Sequence, residues 1–162
     1  MRLRLAAAGI AALSCGVGAT PVQQFDPITF FSGATESTGS LKQKFSSAKA
    51  SHVTGFGGFR SNGEFVLDQT VMIAGEPTRS RQWVLHQILP GHFGGSVSDA
   101  SGPVTIDVAG NQLTIRYTLK QGGLKVESVL TIAPDGRSGQ NQSTIRKWGM
   151  TAATLSETIV KK

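Results

Sequence analysis

Cysteine is scarce in this sequence: the 162 residues contain one, together with three histidines and one tyrosine. A single cysteine excludes an internal disulfide and a cysteine-based zinc site. Beyond the first fourteen residues, no apolar run approaches the roughly 20 residues that a membrane-spanning helix needs. The hydrophobic content of 39% is too high for a disordered chain, and the 20 glycines follow no collagen-like period. We therefore expect one folded domain with a sizeable core.

The N-terminus has the layout of a bacterial secretory signal, with two arginines before the apolar run 5–13. Two processing outcomes are open. Residues 17–19 (Val-Gly-Ala) fit cleavage before Thr20, whereas residues 12–15 (Ala-Leu-Ser-Cys) resemble a lipoprotein box in which Cys15 is lipidated. We expect an exported protein, either periplasmic or anchored as a lipoprotein that faces the periplasm. The expected organisation is a signal segment over 1–19 and a single domain over 20–162.

The charge of the chain is mildly basic, with 16 Lys and Arg against 10 Asp and Glu. Without Arg2 and Arg4 the formal charge is +4, spread along the chain with no dense basic cluster among aromatic residues. This distribution argues against nucleic-acid binding. A weak attraction to an anionic membrane surface and an ordinary solvated surface are the two remaining interpretations.

Turn signals rich in Gly, Pro, Asn and Asp separate short segments that are rich in Val, Ile, Thr and Phe. Such spacing predicts an all-β antiparallel fold, and a closed barrel with room for one small ligand is favoured over an open sandwich. Residues 25–33 are expected to lie across one end. In the last segment, 152–161, β-branched residues favour a strand over a helix. We expect about eight to ten strands, some of which can merge, over 35–47, 50–60, 64–74, 79–89, 92–99, 103–109, 112–121, 124–133, 141–148 and 152–161.

Alternation along the strands identifies candidate interior residues. In 113–120 every odd residue is apolar or aromatic, and the even residues are polar. Arg81 shares a face with apolar neighbours, although Val84 and Ile88 leave the opposite register open. An inward guanidinium needs a partner, so Arg81 either stacks on a tryptophan and closes one end or binds a ligand carboxylate. The candidate ligand-binding residues are Arg81, Trp83, Leu85, Ile115, Tyr117 and Leu119.

Motifs for catalysis or metal binding are weak. His52, His86 and His92 do not have the spacing of a zinc site, although the last two flank a predicted turn. Asp99 and Asp107 lie near each other in sequence, but solvated strand ends explain them better than acid–base work. We therefore expect no catalytic residue, no metal ligand and no cofactor.

Short motifs in a fixed order resemble the domain-of-unknown-function 3833 (DUF3833) family, a lipocalin-like group of exported bacterial proteins and lipoproteins. The resemblance implies a lipocalin-like barrel and, by analogy, binding of an apolar molecule. Members of that family often sit beside fatty-acid-modifying enzymes, which directs the expectation toward lipid. The residues that carry the resemblance are 30–33 (Phe-Phe-Ser-Gly), 65–68 (Phe-Val-Leu-Asp), 81–83 (Arg-Gln-Trp), 99–103 (Asp-Ala-Ser-Gly-Pro), 110–113 (Gly-Asn-Gln-Leu) with Tyr117, and 147–150 (Lys-Trp-Gly-Met).

The expected function is binding or carriage of a hydrophobic small molecule such as a fatty acid or lipid. A structural or protein-interaction barrel with a filled core is the first alternative. The second is a barrel enzyme in which Arg81 and Tyr117 polarise an apolar substrate. That alternative requires an inward base near Tyr117, which the sequence does not reveal.

Overall fold

The structure is a computed structural model, and it describes residues 25–162. The predicted signal segment, with both processing sites and Cys15, lies outside the described residues. Within the described part of the chain, no helix has the length and apolarity needed to cross a membrane.

A short helix begins the described chain. Helix α1 (Pro27–Phe31) is capped by the Asp26 carboxylate, which accepts hydrogen bonds from the backbone N–H groups of Ile28 and Thr29 at 3.0 and 3.3 Å. Pro27 occupies the first turn, where its missing N–H costs nothing. The helix is a single turn, so tertiary packing has to hold it in place.

Ten antiparallel strands follow and close into a barrel in which each strand pairs with its neighbours in sequence and the first pairs with the last. Closure leaves no sheet edge unpaired. The strands are β1 (Gly33–Gln43), β2 (Lys49–Phe59), β3 (Phe65–Ile73), β4 (Arg79–Leu89), β5 (His92–Val97), β6 (Val104–Ala109), β7 (Gln112–Thr118), β8 (Lys125–Ile132), β9 (Ser138–Lys147) and β10 (Met150–Lys161).

The predicted all-β, lipocalin-like barrel is confirmed, and the open sandwich is wrong because β1 and β10 pair along nine residues. The last segment is a strand, as its β-branched residues predicted. Three boundaries differ from the expectation by three residues or more, and one of them is the end of β7, at Thr118 and not at 121. Strand β1 ends at Gln43 and not at 47, because Phe45 has a φ of 62° and turns the chain. Strand β9 begins at Ser138 and not at 141.

Helix α1 covers one end of the barrel, which we call the closed end. The backbone N–H of Phe25 donates to the Gly110 carbonyl at 3.3 Å, and Lys161 Nζ donates to the carbonyls of Thr29 and Ser32 at 2.7 and 2.6 Å. At Gly57 a Cβ would lie 2.0 Å from the Phe31 carbonyl oxygen, so glycine permits this close approach. The predicted placement of residues 25–33 across one end is thus confirmed.

Several of the most deeply buried large side chains lie in and beneath this helix. Phe30, Phe65, Leu113 and Leu130 are all fully buried there. Phe30 makes edge-to-face contacts with Phe25 and Phe31, with ring centroids 5.4 and 5.0 Å apart. The opposite end, which we call the open end, carries the turns 44–48, 74–78, 98–103, 119–124 and 148–149.

Candidate functional site

The barrel interior contains a cavity of about 200 Å³, lined by the inward residues of the strands. Toward the closed end its wall is formed by buried residues such as Leu67 and Leu85. Toward the open end the lining residues Ile73 and Leu155 are half-buried, and Arg79 is exposed. The cavity is therefore sealed at the closed end and reached from the open end.

All six sequence-predicted ligand-binding residues line this cavity. Strand β4 takes the register in which its odd residues face inward, so the reversed register is not adopted. Strand β7 contributes its odd residues in the same way, as its alternation predicted. The structure thus brings these residues together: Arg81, Trp83, Leu85, Ile115, Tyr117 and Leu119.

Arg81 meets both kinds of partner that an inward guanidinium requires. Its Nε and Nη2 donate to Asp99 Oδ2 at 2.9 and 2.6 Å, and its guanidinium lies 5.9 Å from the centre of the Trp83 ring. These hydrogen bonds occupy two of the five N–H donors of the Arg81 guanidinium. The geometry is that of an arginine that braces the wall, and its contact with a ligand stays a prediction.

Trp83 and Tyr117 form the aromatic part of the cavity wall. Their ring centroids are 5.4 Å apart with an interplanar angle of 84°, an edge-to-face arrangement. The indole Nε1 of Trp83 donates to Gln69 Oε1 at 2.8 Å, which satisfies its polar atom. Both rings are consequently fixed in orientation.

Burial raises the pKa of Tyr117 above its ordinary value of 10.0, the neighbouring Arg81 guanidinium opposes this shift, and the Asp99 and Glu157 carboxylates add to it. The phenol is therefore a neutral hydrogen-bonding group throughout the physiological range.

The tyrosine titration can be measured directly because Tyr117 is the one tyrosine of the sequence. We expect tyrosinate absorbance to appear above pH 10 in the folded protein and at about pH 10 after unfolding in urea. Since the folded state holds the proton more tightly, the free energy of unfolding should fall as pH rises through 10. The Tyr117→Phe variant should lack the absorbance change and this part of the pH slope. Equal transitions in the folded and unfolded protein would contradict the prediction.

A group of polar side chains, which we call the polar belt, crosses the middle of the apolar cavity wall. At its centre, Glu157 Oε1 accepts hydrogen bonds from the hydroxyls of Ser37 and Ser51 at 3.4 and 3.2 Å. Asn141 Nδ2 donates to Glu157 Oε2 at 3.2 Å. The carboxylate thus receives neutral donors. The belt consists of Ser37, Ser51, Ser128, Asn141, Ser143 and Glu157, all buried and all lining the cavity.

Backbone spacing makes room for this carboxylate. Gly39 pairs with Glu157 across β1 and β10, and a Cβ on Gly39 would lie 2.7 Å from Glu157 Cγ and 2.1 Å from the Ser156 carbonyl oxygen. Asn141 Oδ1 is buried and has no hydrogen-bond partner among the described residues. An unpaired buried acceptor is costly, so this atom marks where a donor group of a ligand would be stabilised.

Sequence reasoning missed the polar belt. The signal was present in β10, where Glu157 alternates in phase with Leu155 and Ile159 and therefore has to face inward with them. Glu157 is also the kind of inward base that the enzyme alternative required near Tyr117, and its charge is one cause of the raised pKa of that tyrosine.

The three histidines and the two aspartates Asp99 and Asp107 are not among the residues that line the cavity. Asp107 Oδ1 lies 2.9 Å from His92 Nδ1 on the outer surface, whereas Asp99 pairs with Arg81, so the two aspartates belong to different networks. His52 Nε2 lies 2.8 Å from Glu36 Oε1. Across residues 25–162 no three His, Cys, Asp or Glu side chains are grouped as a metal site would need.

The closed barrel with an interior cavity places the molecule among small single-barrel proteins. The chain belongs to the DUF3833 family, described as proteins of unknown function, whose model matches residues 6–161. The resemblance seen in the sequence is thereby confirmed.

Solved structures share this fold at low sequence identity. One is the S-type phycobiliprotein lyase CPES from Guillardia theta, with a TM-score of 0.66, 10% identity, and coverage of 83% of this chain and 90% of that chain. Another is a DUF3598-family protein of unknown function from Nostoc punctiforme, with a TM-score of 0.62, 12% identity, and coverage of 90% and 53%, respectively. No curated protein sequence matches the chain.

Proposed function

We propose that this protein binds a hydrophobic small molecule, of the fatty acid or lipid class, inside its barrel. The observation that carries the proposal is the cavity of about 200 Å³, which is walled by aliphatic and aromatic side chains and reached from the open end. Each methylene group of a ligand that is buried there contributes about 0.8 kcal/mol to the free energy of binding, so a single acyl chain needs few polar contacts. A cavity of this size also favours binding over the filled-barrel alternative.

The polar belt favours a ligand that carries a neutral or cationic hydrogen-bond donor. A hydroxyl or amine at the inner end of the ligand would pair with Asn141 Oδ1 and with the Glu157 carboxylate. An ionised carboxylate in that place would face Glu157 and be repelled. A fatty acid would therefore bind in the reverse orientation, with its headgroup near Arg79 at the rim.

The proposed setting is outside the cytoplasm, as the signal pattern predicts. The absence of enzymatic activity also stays a prediction. The belt carboxylate accepts hydrogen bonds from three neutral donors, an arrangement that suits ligand binding and proton transfer alike.

Displacement of a neutral fluorescent probe tests the ligand class. We expect N-phenyl-1-naphthylamine to bind the protein and to be displaced by dodecanol about tenfold more effectively than by dodecanoate, because the alcohol satisfies the unpaired acceptor of Asn141. The Asn141→Leu variant should lose most of this preference and still bind the probe.

Two results would count against this interpretation in different ways. Stronger displacement by dodecanoate would place the ligand headgroup at the rim and reject the donor requirement. A failure of the folded protein to bind the probe, dodecanol or dodecanoate would reject the binding function itself.

A further inference from the structure

Two turns at the open end place large aromatic side chains in solvent. Phe45 lies in the turn between β1 and β2 and is 95% exposed, and Trp148 lies in the turn between β9 and β10 and is 84% exposed. Strands β1 and β10 are paired, so these turns lie on the same side of the barrel rim. Both side chains therefore contribute little buried surface to the fold.

The backbone at both residues disfavours a bulky side chain. Phe45 has a φ of 62° and Trp148 a φ of 50°, and they are the non-glycine residues with positive φ in the described range 25–162. Trp148 and Gly149, with a φ of 79°, form a two-residue hairpin connection in which Asn-Gly is the usual choice. A strained residue that adds nothing to the core indicates a requirement outside the fold.

Basic side chains accompany both aromatic rings. Lys44 Nζ lies 5.1 Å from the centre of the Phe45 ring, and Lys147 Nζ lies 4.7 Å from the Trp148 ring. Each turn thus presents an aromatic ring and an ammonium group together.

The charge of the barrel is also concentrated at this end. The open-end segments carry eight Lys and Arg against two Asp and Glu, whereas the closed-end segments carry four of each. The open-end segments are 42–49, 74–79, 98–103, 119–125 and 146–150, and the closed-end segments are 25–32, 59–65, 86–92, 107–112, 132–138 and 160–162.

We propose that the open end docks on the surface of an anionic lipid bilayer, with Phe45 and Trp148 inserted at the headgroup level. Aromatic rings favour this interface, and each lysine or arginine near an anionic surface adds attraction. The charge difference between the two ends orients the barrel with its cavity mouth toward the lipid. This inference stands apart from the proposed ligand, since the docking residues lie in turns outside the cavity.

Sedimentation with vesicles tests the docking surface. The full chain should bind vesicles of phosphatidylcholine mixed with phosphatidylglycerol, and more weakly those of phosphatidylcholine alone. The Phe45→Asn, Trp148→Asn double variant should bind at least tenfold more weakly, and the Lys44→Gln, Lys147→Gln variant should lose a similar factor. Because asparagine tolerates positive φ, the first variant should also melt at a higher temperature, which separates lost binding from lost folding.

Matched controls lie away from the open end. Phe56 is 66% exposed on the outer wall, and Arg60 and Arg137 are exposed at the closed end. Phe56→Thr and the Arg60→Gln, Arg137→Gln double variant should bind vesicles like the unsubstituted chain. Every variant carries the same residues 1–24, so their contribution is common to all.

Tryptophan fluorescence locates the contact independently. Emission should shift to the blue on anionic vesicles and be quenched by brominated acyl chains, and both effects should disappear in Trp148→Asn because Trp83 lies within the barrel wall. The proposal is overturned if emission is unchanged on vesicle-bound protein, or if the control variants lose as much binding. It is equally overturned if the two aromatic residues instead hold two copies of the chain together in sedimentation without vesicles.

Discussion

Ser128→Phe is expected to lower the affinity for an apolar ligand about 100-fold while the barrel still folds. Ser128 is buried in β8 and faces the cavity, so a phenyl ring there occupies much of the space available to a ligand. If the ring keeps three to four methylene groups of the ligand out of the cavity, the binding free energy falls by about 0.8 kcal/mol for each of them, which corresponds to a loss of affinity of this size. Ser143, which shares a hydrogen bond of 2.6 Å with Ser128, still accepts one from Asn141. Titration with N-phenyl-1-naphthylamine measures the affinity.

The next residue of the same strand supplies a matched control. Val129 is half-buried and, by the alternation of β8, points outward. The Val129→Phe variant adds a ring of the same size outside the barrel and should bind the probe like the unsubstituted protein. Undiminished binding by a folded Ser128→Phe variant would mean that the ligand lies elsewhere.

Phe30→Ala is expected to destabilise the protein by about 3–5 kcal/mol. Phe30 is 2% exposed and lies in the one-turn helix that covers the closed end, where its loss leaves a void beneath Phe25 and Phe31. The expected change corresponds to a fall in melting temperature of about 10 °C or more. Urea unfolding and thermal melting followed by circular dichroism measure both quantities.

The exposed Phe56 is the comparison for that variant. Phe56→Ala removes the same kind of side chain from the outer wall, where 66% of its surface is exposed. It should lower the free energy of unfolding by less than about 1 kcal/mol. Similar losses for the two variants would show that α1 does not hold the closed end of the barrel.

The barrel could be predicted because its strands obey one simple alternation. In β7 the odd residues are apolar and the even ones polar, and glycine or proline marks nearly every turn. Such local signals predict where strands occur but not where each strand ends. Strand β1 ends early because Phe45 adopts a left-handed conformation that no residue pattern indicates. Pairing of β1 with β10 depends on contacts more than a hundred residues apart in sequence, which strand spacing favours through barrel closure but does not specify residue by residue.

Part of the candidate site could be predicted from the sequence. Arg81, Trp83 and Tyr117 stood out because aromatic and charged residues shared a face with apolar ones. The polar belt was overlooked because serines at inward positions look like ordinary strand residues until their hydroxyls converge on Glu157. The hydrogen-bond partner of Arg81 could not be predicted from the sequence either, since Asp99 lies in the turn between β5 and β6 and reaches β4 only in the folded barrel.

Mass spectrometry of lipid extracted from protein purified without detergent tests most directly whether the barrel interior holds a ligand. We predict that the unsubstituted protein and the Val129→Phe variant each retain about one acyl-chain molecule per chain. The Ser128→Phe variant should retain none. An empty extract from all three proteins, or the same molecule retained by Ser128→Phe, would contradict a ligand site inside the barrel.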